Sequence, residues 1–114
     1  MHLIFLDCPA TGRVLPTAFT ARGAYLSTAA AGVRVRGRLV YPNGDVREAT
    51  AVRQHTALDP AARTLAPVWS CHFAGLPPST GVLLRAMLFV DGLERAANLA
   101  HDLEIAVTGG ADCP

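Results

Sequence analysis

The sequence predicts an all-β protein, an antiparallel sandwich of about seven strands. Three observations carry this. Apolar residues recur with a period of two rather than 3.6. Turn-forming clusters punctuate the chain at short, fairly even intervals. Two hairpin dipeptides, Asn43-Gly44 and Asp91-Gly92, each stand between two alternating runs. The 114 residues suit one domain spanning 1–114, with no internal repeat or linker. At 51% hydrophobic, the chain has enough apolar surface for a core without staples or metal.

The elements follow in order. Leu3 to Leu6 is a short apolar strand. Ala18 to Leu26 is a second, with Gly23 placed to suit a bulge. Thr28 to Ala31 and Pro60 to Arg63 are long enough for a helical turn each, not for a stable helix. The run GVRVRGRLVY puts Val33, Val35, Leu39 and Tyr41 on one face, and Arg34, Arg36 and Arg38 on the other. A two-residue loop at Asn43-Gly44 then returns the chain as Val46 to Gln54, with both loop residues at positive φ. That register sets Arg38 opposite Ala49, Arg36 opposite Ala51 and Arg34 opposite Arg53. It places Val46, Thr50 and Val52 with the inward valines. VWSCHF follows, with Trp69, Cys71 and Phe73 on one face. GVLLRAMLFV reaches Asp91-Gly92 and returns as LERAANLAHDLEIAV, where Ala97, Leu99, His101, Leu103, Ile105 and Val107 share a face.

Few chemistries find their residues here. The formal charge is +1, and every Lys or Arg position is arginine, so no lysine Schiff base or phosphate-binding lysine exists. GxSxG, P-loop and GxGxxG motifs are absent, and no cofactor is implied. Cys8, Cys71 and Cys113 are odd in number and widely spaced, which predicts free thiols; one pair could still form in an oxidising compartment. Cys71 and His72 are neighbours in sequence, but a strand points them to opposite faces, so they form no reactive pair. His2, His55, His72 and His101 lie on four segments without metal-ligand spacing. The N-terminus has no basic region and too short an apolar run for a signal core, and no stretch could span a membrane as a helix. The expectation is a cytoplasmic protein, unless an export signal has been removed.

The run WSCHFAGLPPSTGVLLRAMLFVDG resembles the later half of bacterial immunoglobulin-like and fibronectin type III-like modules. GRLVYPNGDV resembles their earlier strand and turn. The resemblance covers some two thirds of the chain. Val82 or Leu83 stands where such modules often carry a tyrosine, and no cysteines match their inter-sheet disulfide. The resemblance implies an immunoglobulin-like sandwich acting as a non-catalytic binding or structural module.

Two surfaces are candidates for that role. The predicted hairpin register gathers Arg34, Arg36, Arg38, Arg47 and Arg53 on one outer face. Their forked donors suit the carboxylates or phosphates of an acidic partner. No aromatic residue interleaves with them along the strand, which argues against single-stranded nucleic acid. Leu83, Met87 and Phe89 form a row opposite Leu84, Ala86 and Leu88, and whichever row lies outside marks an interface. The expected partner is a protein or an acidic surface, without membrane insertion, and a homo-oligomer is left open. Two alternatives stand beside the module. One is an enzyme or small-ligand protein with a site assembled around His55, His72 or His101. The other is a self-assembling structural subunit.

Overall fold

The computed structural model describes residues 1–29, 31–59, 64–97 and 103–113, with backbone alone at 55–59 and 64–66. The described residues form ten strands and no helix. One sheet runs β1 (His2–Cys8), β3 (Phe19–Ser27), β7 (Thr64–Phe73), β6 (Val52–Asp59). The other runs β2 (Val14–Leu15), β10 (Leu103–Val107), β8 (Ser79–Val90), β4 (Val33–Val40), β5 (Val46–Thr50). In that second sheet β9 (Leu93–Ala97) pairs with the far half of β8. Pairing is antiparallel throughout except between β2 and β10. The protein is an all-β sandwich.

Ten strands replace the expected seven because two runs that read as continuous are divided. Val46 to Gln54 breaks at Ala51. The Ala51 N–H still donates to the Val35 carbonyl at 2.8 Å, and the chain then crosses to the other sheet as β6. The last run divides into β9 and β10, with 98–102 outside the described residues. The short β2 is an addition.

The alternation places the core as expected. Val33, Val35, Leu39 and Tyr41 face inward from β4, and Val82, Leu84, Ala86 and Leu88 from β8. Leu103, Ile105 and Val107 are buried, while Leu99 and His101 lie outside the described residues. Trp69, Cys71 and Phe73 are buried together. The Trp69 indole N–H is shared by the carbonyls of Phe5 and Ala24, both at 3.2 Å, tying β7 to β1 and β3. Gly37 lies under this cluster. A Cβ there would meet the Phe73 ring at 2.8 Å and the Cys71 sulfur at 3.0 Å, so only hydrogen fits.

The cysteines correct the free-thiol expectation. Cys8 and Cys113 form a disulfide, and Cys71 alone is free. A register shift in β1 between Leu6 and Cys8 marks an irregularity at Asp7, just before Cys8. The C-terminal segment is drawn alongside by bonds from Thr108 and Gly109 N–H to the Leu15 carbonyl and from Thr20 N–H to the Asp112 carboxylate. Neither cysteine's sequence spacing signals this meeting.

Candidate functional site

The arginine constellation depends on the β4–β5 hairpin, and its register differs by one residue from the expected one. Arg36 faces Thr50, Arg38 faces Glu48, Leu39 faces Arg47 and Val40 faces Val46. Pro42 is the physical cause. A two-residue Asn43-Gly44 loop would close on a hydrogen-bonded pair of residues 42 and 45, and proline has no N–H to give it. Tyr41 takes that place and donates its N–H to the Asp45 carbonyl at 2.8 Å. Pro42 and Asn43 then form a turn closed by Gly44 N–H to the Tyr41 carbonyl, with Gly44 alone at positive φ. Such a three-residue loop is the next commonest hairpin form. At Asp91-Gly92 no proline intervenes, both residues take positive φ, and the two-residue loop forms with Val90 opposite Leu93.

The shift disperses the five arginines. Arg34, Arg36 and Arg38 remain together on the outer face of β4. Arg47 turns to the side of Leu39 and remains exposed. Arg53 is carried into the other sheet, opposite Trp69, where its guanidinium lies 6.0 Å from the Tyr25 ring centroid and bonds the Tyr25 hydroxyl at 3.5 Å. Val46 and Val52, expected inside, are exposed. Glu48 enters the arginine row instead, meeting Arg38 at 2.8 Å and Arg36 at 3.4 Å. Among the described residues, Arg34 has no carboxylate within salt-bridge distance.

The two candidate surfaces prove to be one. β4 and β8 are neighbours, and their outer residues interleave: Arg34 beside Phe89, Arg36 beside Met87, Arg38 beside Arg85, Val40 beside Leu83. The row Leu83, Met87, Phe89 is therefore the outward one, with Leu84, Ala86 and Leu88 in the core. Leu83 is 38% exposed and Met87 fully buried. Arg85 is held by Glu94 at 2.8 Å. Phe89 also corrects the expectation that no aromatic residue accompanies the arginines, since it arrives from the neighbouring strand.

Depressions lie at the start of β4. One of about 480 Å3 is lined by Gly32, Arg34, Arg36, Phe89, Asp91 and Gly92. Another of about 460 Å3 runs beside Val33, Arg34 and Val35 to Thr50, Ala51 and Arg53. A third, of about 240 Å3, continues past Gly32 and Arg53 to Tyr25 and Pro67. Arg34 and Arg53, no longer on one face, thus border the same hollow from two sheets. The sequence signal that bears on this corner is Pro42, which fixes which β4 residue each β5 residue faces.

The remaining candidates are placed apart. Cys71 donates its thiol to the Ala49 carbonyl at 3.3 Å, and burial raises its pKa to about 11, against the lowering by a backbone hydrogen bond from Gly37. His72 points to the opposite face and bonds the Thr20 hydroxyl at 3.0 Å. The side chain of His55 lies outside the described residues. Among the described residues no three His, Cys, Asp or Glu side chains gather as a metal site would require. The Tyr41 hydroxyl is buried without a partner among the described residues, and burial raises its pKa.

No protein-family model matches this chain, and no curated protein matches it in sequence.

Proposed function

We propose that this is a non-catalytic, immunoglobulin-like binding module that engages an acidic protein partner through the outer face of β4 and β8. One observation carries the reading. Arg34, Arg36 and Arg38 stand in a row served by a single carboxylate, Glu48, among the described residues. Met87 is buried and offers no contact, but half-buried Phe89 and exposed Leu83 beside the arginines support a protein partner, since arginine and aromatic residues are enriched where proteins meet. The exposed ion pairs to Glu48 contribute little to stability and are easily exchanged for a partner's carboxylates. The Cys8–Cys113 bond supports a role outside the reducing cytosol, because such bonds persist in oxidising compartments.

The test is retention on a polyglutamate matrix. Retention should fall steeply with salt, as exposed charges are screened beyond about 8 Å at physiological ionic strength. Replacing Arg34 and Arg36 together by glutamine should abolish it and leave the Tm within about 3 °C of the parent. Retention that survives the double substitution removes the arginine row from the function.

A further inference from the structure

We infer that the acidic partner is read as an extended peptide lying in the groove at the start of β4, with Arg34 and Arg53 as its two carboxylate contacts. The inference rests on the binding reading above and narrows it to one class of ligand and one end of the sandwich. Three features support it. First, the hollows meet there: Gly32 borders all three, Arg34 two of them and Arg53 two of them. Together they trace a path from Phe89, around the start of β4, to Tyr25. A path of this kind suits a chain better than a compact molecule.

Second, the strand edge is open. The last β5 partner of β4 is Thr50, opposite Arg36, and Ala51 still reaches the Val35 carbonyl. Beyond that point β5 has left for the other sheet, and no described strand pairs with Val33 or Arg34 on this side. The hollow beside Val33–Val35 occupies the place where β5 would have continued. An extended backbone can enter such a place as a short added strand.

Third, the charges complement an acid. Among the described residues Arg34 has no carboxylate within salt-bridge distance, although Asp91 lines one of the hollows with it, and Arg53 meets the Tyr25 hydroxyl and ring. Tyr25 is already engaged, since Arg53 lies over its ring. Phe89 is a half-buried register neighbour of Arg34. A base or sugar would need a free aromatic face for stacking. Guanidinium forks beside a strand edge instead suit carboxylates carried on a peptide.

The experiment is fluorescence anisotropy of a labelled hexaglutamate peptide, run in parallel with a hexaglutamate N-methylated at alternate residues. The intact protein should bind the first and bind the methylated form at least tenfold more weakly. Arg34→Gln and Arg53→Gln should each weaken binding at least fivefold, while Arg38→Gln, at a position that lines none of the three hollows, should change it less than twofold. Thermal melts of each variant confirm the fold, and Arg53→Lys serves as a second variant if Arg53→Gln melts early. Loss with Arg38→Gln but not Arg53→Gln overturns the groove and leaves the arginine row standing. Equal binding of the methylated peptide, or tighter binding of a sulfated oligosaccharide or single-stranded oligonucleotide, overturns the peptide assignment. Absence of binding by every acidic probe overturns both readings.

Discussion

Breaking the Cys8–Cys113 bond should remove a large share of this protein's stability. The bond joins residues 105 apart, so the loop it closes is nearly the whole chain. For a loop of that length the chain-entropy relation gives about 4.8 kcal/mol at 25 °C. A domain's whole stability is about 5–15 kcal/mol, so the bond is worth a third or more of it. Little else near Cys113 would compensate. The bonds to Asp112 from Thr20 and Arg13 are exposed and long, at 3.3 and 3.2 Å. The assay is urea unfolding followed by Trp69 fluorescence, comparing oxidised protein, reduced protein and the Cys8→Ala/Cys113→Ala variant. With a slope of about 1–3 kcal/mol/M, the midpoint should fall by roughly 2–5 M. The slope itself should rise, because the uncrosslinked chain expands further when unfolded. A midpoint shift under about 0.3 M would mean less than about 1 kcal/mol. The C-terminal segment would then be held without the bond, and the reasoning from loop length would be refuted.

Three further outcomes are expected. Trp69→Ala should cost roughly 3–5 kcal/mol, because it empties a buried indole site and strips a donor from the Phe5 and Ala24 carbonyls; an unmoved urea midpoint would contradict its placement. Tyr41→Phe should leave stability equal or raise it by about 1 kcal/mol, since the hydroxyl is buried without a described partner; a loss of that size would reveal one. The native state holds the Cys71 proton up to about pH 11, whereas an unfolded thiol releases it near its ordinary value of 9.0. Stability from this group is therefore whole below pH 9 and declines as pH rises toward 11, because the native state then binds more protons than the unfolded one. The urea midpoint should fall more steeply across that window than in Cys71→Ala, and parallel curves would exclude the linkage.

The core was legible because a strand's period of two assigns each side chain a face without knowledge of its neighbours. Trp69, Cys71 and Phe73 inside, with His72 outside, follow from parity alone. So does the inward face of β4. What parity does not encode is which sheet a strand joins. Val46 to Gln54 alternates smoothly, yet the chain changes sheets at Ala51, and Arg53 keeps its parity in a different layer. The interleaving of Arg34 with Phe89 depends on β4 pairing with β8, residues far apart in sequence. The disulfide is hidden for the same reason, since both cysteines are positioned by an irregular strand end and a terminal segment.

The location of the proposed site descends from the one residue in the hairpin that lacks an N–H. Because Pro42 cannot close a two-residue loop, pairing begins at Tyr41 and Asp45, and every β5 residue moves one place along β4. That single step brings Glu48 against Arg38 and Arg36, where one carboxylate offsets part of the charge of two guanidiniums. It moves exposed Arg47 off the arginine face to the side of Leu39. Arg34 lies beyond the last β5 partner, with no described carboxylate within salt-bridge distance. Positive charge that composition would spread along a whole strand is thereby concentrated at one end. The crossing at Ala51 then returns Arg53 to that same end from the opposite sheet. A backbone donor missing at position 42 and a change of sheet at position 51 together leave two arginines flanking an open strand edge, the geometry on which the proposed acidic-peptide site rests.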